Sequence, residues 1–238
     1  MNKQKVAAIL GVGPGLGAAI ARRFAREGFA VGLMARTADK LTAIQREIKQ
    51  QGGKALAVPA DATNPALVAS AFAQVREQLG TPDVFVYNIE AFQMGSFLEV
   101  TPEQFEYSWK ANCFGGFLGA QQVLPAMLER GRGTILLTGA TAALRGSARF
   151  VSLAVGKFGL RALAQSLARE FGPRGIHIVH VIVDGLIDMP TVRTLFPERE
   201  THTLLSPDAI AEVYWQLYRQ EPTAWTLEMD LRPAVEKF

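Results

Sequence analysis

Short apolar runs alternate with longer amphipathic segments from one end of the chain to the other. Most of the apolar runs lack the alternation of apolar and polar positions that a half-exposed strand would show. Strands buried on both faces have this pattern, which is typical of parallel sheets covered by helices. Seven strands are predicted, at residues 6–10, 30–35, 55–60, 83–88, 134–138, 176–183 and 225–231.

The intervening segments predict helices on both faces of that sheet, at residues 15–28, 38–51, 65–79, 102–130, 152–171 and 207–220. Four of them begin at a residue whose side chain can cap a helix, namely Thr37, Asn64, Thr101 and Ser206, and proline follows the last three. Strands and helices alternate strictly, which with right-handed crossovers predicts an α/β fold with a doubly wound parallel sheet. We expect one domain over residues 1–238.

One segment, residues 185–206, departs from this alternation. It follows the sixth predicted strand, contains two prolines and has neither a helical nor a strand period. Because open α/β sheets bind ligands beyond the carboxyl ends of their strands, we interpret the segment as a substrate lid. The alternative is a surface insertion without a catalytic role.

Composition and charge exclude several classes of protein. The 25 basic residues are scattered among 22 acidic ones, so no basic run of the kind that binds nucleic acid is present. The only cysteine, Cys113, cannot form an intramolecular disulfide. Polar residues and a proline interrupt the longest uncharged stretch, residues 111–128, which is unlike a membrane span. We expect a cytoplasmic protein that binds neither nucleic acid nor membranes.

Two further patterns argue against a secreted protein and a metal-binding protein. The apolar start of the chain contains four glycines and a proline, which fits a strand, a turn and a helix better than a secretory signal. The histidines, His177, His180 and His202, lack ligand spacing with any acid or cysteine. We therefore predict no metal site.

A glycine-rich turn, LGVGPGLG, lies where the first predicted strand ends. Gly11, Gly15 and Gly17 allow a tight turn, close approach of the backbone to a diphosphate, and close packing of the next helix on the sheet. The N–H groups and dipole of that helix can hold the diphosphate. Between a first strand and a helix, this turn predicts a dinucleotide site.

Through this turn and five further residues, the chain resembles the short-chain dehydrogenase/reductase family, whose members have a Rossmann fold. Asp61, Asn88, Asn112, Lys157 and Gly185 occur in the family's order and spacing. The resemblance implies that Asp61 contacts the adenine, that the Asn88 backbone holds the neighbouring ribose region, and that Lys157 reaches the nicotinamide ribose. It also implies a small-molecule substrate, and assembly as a homodimer or homotetramer.

The end of the second predicted strand favours NADP(H) over NAD(H). NAD-selective folds place a carboxylate there, which accepts hydrogen bonds from the ribose 2′-hydroxyl. This chain has Ala35, followed by Arg36 and Thr37, and a guanidinium beside a hydroxyl suits a 2′-phosphate. The alternative is a solvated Arg36, with Thr37 only capping the next helix.

The family's proton-donating serine and tyrosine are both absent. Aligned on the family pattern, Ala140 stands at the serine position, and Leu153 stands at the tyrosine position, four residues before Lys157. Leu153 and Lys157 are one helical turn apart, so the leucine faces the site that the tyrosine would serve. A positioned general acid contributes roughly 10² to 10⁴ in rate. Ordinary carbonyl reduction by the family mechanism is therefore not expected.

Other side chains near the predicted site can carry a proton. Glu90 stands within the family's Asn-Ala-Gly turn, where a carboxylate in a partly apolar pocket can act as an acid; the alternative is a rim carboxylate paired with an arginine. The hydroxyls of Thr138, Thr141 and Ser152 lie near the vacated positions but are poor acids, and otherwise belong to turns and helix starts. Tyr107 is predicted to pack outside the pocket.

Two departures change the nicotinamide end of the predicted site. Asp184 stands where the family has proline before Gly185, and Met189 stands where it often has a threonine that contacts the carboxamide or a phosphate.

The sequence supports two hypotheses, an enzyme and a binding protein without catalytic activity. The first is an NADP(H)-dependent oxidoreductase with a non-standard proton donor, whose catalytic residues are Asn112, Lys157 and Glu90. The second is a catalytically silent NADP(H)-binding protein that acts as a sensor or a partner subunit. The resemblance to the family favours an enzyme, whereas the absence of the serine and the tyrosine favours a protein without catalytic activity.

Overall fold

Seven strands form one parallel sheet in the computed structural model, which describes residues 4–236; residues 1–3 and 237–238 of the predicted domain lie outside that part. The strands are β1 Val6–Leu10, β2 Ala30–Ala35, β3 Lys54–Pro59, β4 Val84–Tyr87, β5 Gly133–Ala140, β6 Ile176–Val183 and β7 Glu228–Leu231. Their order is β3-β2-β1-β4-β5-β6-β7. The predicted α/β doubly wound fold is confirmed.

Each central strand is buried because its residues alternate between two hydrophobic cores. Ala7 and Ile9 of β1 belong to the core on one face of the sheet, and Ala8 and Leu10 belong to the core on the other. This arrangement explains why the strands read as continuous apolar runs rather than as alternating ones. The order reverses between β1 and β4, so a crevice is expected beyond their carboxyl ends.

Residues 4–236 contain eight α-helices. They are α1 Leu16–Arg26, α2 Ala38–Gln50, α3 Pro65–Gln78, α4 Pro102–Trp109, α5 Gly115–Arg130, α6 Val151–Phe171, α7 Pro190–Leu195 and α8 Pro207–Tyr218. Within this part of the chain, every helix is too short or too polar to cross a membrane.

Three of the four predicted capping side chains cap a helix. Asn64 accepts from the backbone N–H of Ala66 and Leu67, Thr101 forms a reciprocal capping box with Gln104, and Ser206 accepts from Ala209. The prediction is wrong for Thr37, which occupies the N-cap position of α2 without a side-chain cap bond. A backbone bond from Leu41 N to Thr37 O closes the first turn there.

The helix predicted over residues 102–130 is interrupted. Residues Lys110–Phe114 form a wider π-helical turn between α4 and α5. The buried Tyr87 donates its hydroxyl to the carbonyl of Ala111, and the Asn112 side chain binds the backbone of Ala91. Both partners lie on or after β4, so contacts distant in sequence, and not the local period, support this turn.

The segment 185–206 is more regular than predicted. It contains α7, and Ile187 pairs with Leu205 in an isolated parallel bridge that closes its base. Hydrogen bonds from Asp188 N to Leu205 O and from Leu205 N to Leu186 O accompany the bridge. The segment is therefore an ordered loop after β6, with its two ends held together.

His180 is an imidazole fully buried in β6. Its ring lies against Gly139 of β5, where any side chain would collide with it. Neither ring nitrogen has a hydrogen-bond partner among the described residues. Burial lowers the pKa of His180 to about 4, opposed by the Glu228 carboxylate and assisted by the positive charges of Lys157 and Arg161. The ring is therefore neutral in the folded protein at neutral pH.

His180 is expected to make folding pH-dependent between about pH 6.5 and about pH 4. In this window the unfolded chain protonates the ring and the folded protein does not, so the unfolded state binds more protons and stability falls as the pH falls. The full difference is about 3 kcal/mol. The free energy of unfolding in urea, measured at about pH 7 and about pH 4.5, gives this difference. His180→Gln should lose less stability than the wild type between these two pH values. His202→Gln, at an exposed position, is the control; an equal loss in His180→Gln would contradict the assignment.

Candidate functional site

A cavity of about 620 Å³ opens beyond the carboxyl ends of β1, β2, β3 and β4. This is the place in the sheet where the strand order reverses, which is where doubly wound folds bind ligands. The turns after the four strands line one side, and residues of α4 line the other. The predicted residues that line it are Gly11, Arg36, Asp61, Asn88 and Glu90.

The glycine-rich turn has the close contacts that its spacing predicts. Gly11 has a left-handed backbone with φ +107°, and a side chain there would collide with the backbone of Asn88. A Cβ on Gly17 would lie 2.5 Å from the carbonyl oxygen of Gly11. Asn88 donates from its side-chain amide to that same oxygen at 3.0 Å, which joins β4 to the turn. Only glycine fits at these two positions.

The start of α1 suits an anion. Gly15 is its N-cap and supplies no side-chain cap, and the first turn contains no acidic residue. The helix dipole and the N–H groups at the start of that turn therefore favour a negatively charged group, although the N–H of Ala18 already donates to Gly13 O at 3.0 Å.

Met189 occupies the space beside Gly15. A Cβ on Gly15 would overlap the sulfur and Cγ of the Met189 side chain, which comes from the predicted lid segment. Neither Gly15 nor Gly17 lines the cavity. The departure from the family's threonine thus places a thioether against the turn that is predicted to approach the diphosphate.

Asp61 is fixed at the cavity wall by its own turn. Its Oδ1 accepts from the backbone N–H of Thr63 at 2.9 Å and from the Thr63 hydroxyl at 2.8 Å. The helix that follows is capped by Asn64 and not by Asp61. The Asp61 carboxylate is therefore oriented locally, next to the predicted adenine position.

Arg36 reaches across the cavity to Tyr107. Its Nη1 donates to the Tyr107 hydroxyl oxygen at 2.6 Å, and both residues line the cavity. The prediction that Tyr107 packs outside the pocket is wrong, because its side chain is 42% exposed and extends from α4 toward the end of β2. Thr37, predicted beside Arg36, does not line the cavity.

The sequence did not predict that the face of α4 with Tyr107 lines the site. Gln104 and Ser108 of α4 line the cavity with it, as does Ala111 of the π-helical turn that follows. These positions recur at helical spacing, three or four residues apart, so they share one face of the helix. That spacing, together with the known position of Asn112, was a signal available in the sequence.

Lys157 is fully buried, and its ammonium group is bound to backbone. Its Nζ donates to the carbonyl of Ile89 at 2.9 Å and to that of Thr138 at 3.0 Å. Burial lowers the pKa of Lys157, and the neighbouring Glu90 carboxylate opposes that shift. Because an ammonium group has three donors, one remains for a further partner. Lys157 does not itself line the cavity.

The side chain of Asn112 is completely enclosed. Its Oδ1 accepts from Ala91 N at 3.1 Å, and its Nδ2 donates to Ala91 O at 3.2 Å and to Ser108 O at 3.0 Å. These bonds join the π-helical turn to the segment that follows Glu90. Asn112 thus positions the loop after β4 and does not face the cavity.

The vacated catalytic positions lie in apolar surroundings. Leu153 is buried in a small cluster with Ala142 and Ala154, against the partly buried Phe150. Ala140 is the last residue of β5 and has only a methyl group to offer. This part of the structure has no hydroxyl at the two positions that the family uses.

The three hydroxyl groups near these two positions are either bonded to other side chains or buried. Thr138 bonds to the Tyr214 hydroxyl at 2.8 Å, and Thr141 donates to the buried carboxylate of Asp184. Ser152 is buried, and its oxygen has no hydrogen-bond partner within residues 4–236. Glu90 is the candidate acid that lines the cavity, at an exposed position.

The turn after β6 is built around Asp184 and Gly185. Arg232, which follows β7, forms an ion pair with Asp184 at 3.4 Å, so the two strand ends are tied together. Gly185 has φ +144° and packs on Pro233 and Leu205. Gly185 does not line the cavity.

Comparison with known proteins gives consistent results. Residues 5–200 match the model of the short chain dehydrogenase family. The short-chain dehydrogenase/reductase eriH of Hericium erinaceus is 35% identical over 181 residues, which are 74% of this chain and 72% of that protein.

Two solved structures are similar over almost the whole chain. The short-chain dehydrogenase from Rhodopseudomonas palustris has 38% sequence identity and a TM-score of 0.84, covering 96% of this chain and 98% of that one. A metagenomic short-chain oxidoreductase in complex with NADP has 27% identity and a TM-score of 0.83, covering 98% of each chain.

Proposed function

Because the chain belongs to the short-chain dehydrogenase/reductase family, we propose that it binds NADP(H) and acts as an oxidoreductase on a small molecule. Its proton donor differs from the family's serine and tyrosine, since Ala140 and Leu153 replace them. The observation that carries the proposal is the cavity at the switch point of the sheet, with Arg36 on its wall.

The charge at the end of β2 supports NADP(H) over NAD(H). Ala35 and Arg36 line the cavity where an NAD-selective fold would place a carboxylate. A guanidinium binds a phosphate through charge-assisted hydrogen bonds, whereas it gains nothing comparable from a ribose hydroxyl. The similar metagenomic oxidoreductase was solved with NADP, which is in keeping with this preference.

The remaining residues fit the rest of a dinucleotide. Gly11 and Gly17 keep the turn free of side chains, and the first turn of α1 offers N–H groups to a diphosphate. Asp61 is held at the adenine end, and one donor of the Lys157 ammonium is not used by the two carbonyls that bind it. Bound NADP(H) would supply or accept the hydride. The Met189 side chain has to leave room for the diphosphate beside Gly15.

Glu90 is our candidate for the proton donor. It lies directly after Ile89, whose carbonyl binds the Lys157 ammonium, and its charge acts on that ammonium. Asn112 fixes the next residue, Ala91, from the other side. The carboxyl group therefore stands on a turn at the edge of the cavity, at an exposed position where it can take up a proton from solvent and, in that protonated form, give it to a bound substrate.

We expect Glu90→Gln to lower kcat on an active substrate by at least about 100-fold, because glutamine cannot donate a proton as an acid. NADPH consumption with a panel of ketones, diketones and conjugated enones measures it. Glu129→Gln, at an exposed position on α5 outside the cavity, is the matched control. Unchanged turnover in Glu90→Gln would reject this role and leave the cofactor assignment in place.

A silent NADP(H)-binding protein is the second candidate, and three observations favour it. The ammonium of Lys157 is buried and bound to two carbonyls, Leu153 lies in an apolar cluster, and Met189 fills the space beside Gly15. The first two concern the nicotinamide end, and the third concerns the turn that is predicted to approach the diphosphate. NADPH binding without turnover on the whole panel would support this candidate over the enzyme.

A further inference from the structure

Tyr107 and Arg36 approach each other from two different walls of the cavity. Arg36 follows β2, and Tyr107 lies on α4, 71 residues further along the chain. The phenol accepts a hydrogen bond of 2.6 Å from the guanidinium. Because the Tyr107 side chain is 42% exposed, core packing does not account for its position. The contact therefore links the strand wall and the helix wall.

The helix that presents Tyr107 is fixed at both ends. At its start, Thr101 accepts from the backbone N–H of Gln104, and the Gln104 side chain accepts from the backbone N–H of Thr101. Beyond its end, Asn112 is bonded to Ala91 of the neighbouring loop. A side chain on such a rigid element can hold a flexible partner in one place.

The chemistry of the pair leaves the guanidinium free to bind an anion. A guanidinium has five N–H donors, and Tyr107 engages it through Nη1, so donors on the other nitrogens can still bind a phosphate. The phenol is uncharged, and so it does not compete for Arg36 as a carboxylate would. Tyr107 thereby restricts a long side chain without neutralising its charge.

We propose that Tyr107 is a positioning residue that holds Arg36 in the conformation that binds the 2′-phosphate of NADP(H). This inference rests on the proposed function, since it concerns the same cofactor. A pre-positioned arginine loses less conformational freedom when the phosphate arrives, so NADP(H) binds more tightly. NAD(H) has no phosphate at this point and gains nothing. Tyr107 is then a determinant of cofactor preference, although it need not touch the phosphate.

The test uses Tyr107→Phe, which removes the hydroxyl and keeps the ring. The dissociation constant of NADPH should rise about three- to tenfold, which is the cost of ordering one long side chain. The dissociation constant of NADH should change by less than about twofold. The fragment 2′,5′-ADP, which has the phosphate but no nicotinamide, should follow NADPH, and 5′-AMP should follow NADH. Tyr218→Phe is the matched control, because its hydroxyl also accepts from a cation, Lys5, outside the cavity.

Each outcome separates this inference from the function on which it rests. If Tyr107→Phe binds NADPH as tightly as the wild type or more tightly, while Arg36→Ala binds it weakly, the inference is overturned and the function stands. Equal weakening of NADPH and NADH in Tyr107→Phe also overturns it, because that result indicates a general structural role. If the wild type binds neither NADPH nor 2′,5′-ADP, the proposed function itself fails.

Discussion

A variant with Ala140→Ser and Leu153→Tyr together is expected to reduce carbonyls with NADPH at least about 100-fold faster than the wild type, since a positioned general acid contributes roughly 10² to 10⁴. Lys157 is already in place, one helical turn from position 153 on α6. The serine would add a donor for the developing alkoxide, which is worth roughly another 10². Restoring both hydroxyls tests whether the site lacks only these groups.

The substitution at position 153 has a structural cost. Leu153 is buried with Ala142 and Ala154, and a tyrosine needs more space than this cluster provides. Overpacking of this kind costs about 1–3 kcal/mol. Thermal unfolding and NADPH binding should therefore be measured on the variant first, so that activity is compared between folded, cofactor-binding proteins.

Single variants provide the controls for this experiment. Ala140→Ser alone should stay near the wild-type rate, because it restores no acid, and Lys157→Met in the double variant should abolish the gain. A folded double variant that binds NADPH but reduces no carbonyl would contradict the prediction. That result would locate the defect elsewhere in the cofactor site, for example at the diphosphate turn, where Met189 lies beside Gly15.

Arg36→Ala is expected to weaken NADPH binding about 10- to 100-fold, since hydrogen bonds to a charged group are worth about 1.5–3 kcal/mol. NADH should bind within about twofold of the wild type, because it has no phosphate for the guanidinium to hold. Quenching of tryptophan fluorescence on titration gives both dissociation constants. Trp109, the last residue of α4, follows Ser108 of the cavity wall and is a suitable reporter.

Arg26→Ala controls for the loss of a positive charge elsewhere. Arg26 is exposed at the end of α1 and does not line the cavity. This variant should bind NADPH like the wild type at physiological ionic strength, where distant charges are screened. Equal weakening of NADPH and NADH in Arg36→Ala would mean that Arg36 supports the pocket as a whole, and would contradict its assignment to the 2′-phosphate.

The strands could be predicted because burial on both faces makes each strand a continuous run of apolar residues. The bounds of β1, β2 and β6 agree with the prediction at both ends. The last strand begins at Glu228 and not at residue 225, since Trp225 stacks on His177 and Thr226 O bonds to that ring instead of continuing the ladder. Such contacts depend on the completed fold, and a local pattern does not reveal them.

The candidate site was predictable as far as it depends on strand ends. Gly11, Arg36, Asp61 and Asn88 follow four parallel strands, whose carboxyl ends necessarily meet at one edge of the sheet. Tyr107 was missed because only the tertiary placement of α4 turns its exposed face toward β2.

The nicotinamide end was less predictable for the same reason. Met189 touches Gly15, although 174 residues separate them in the chain. The two carbonyls that bind Lys157 belong to Ile89 and Thr138, on two different strand ends. Sequence spacing identified the lysine but could not show that its ammonium group is enclosed.

Binding of NADP(H) at this site is tested most directly by titrating the wild-type protein with NADPH, NADH and 2′,5′-ADP and following tryptophan fluorescence. We expect saturable binding of NADPH and 2′,5′-ADP, with NADPH at least about tenfold tighter than NADH, the ratio that a charge-assisted phosphate contact supplies. Absence of binding by all three ligands, or tighter binding of NADH than of NADPH, would contradict it.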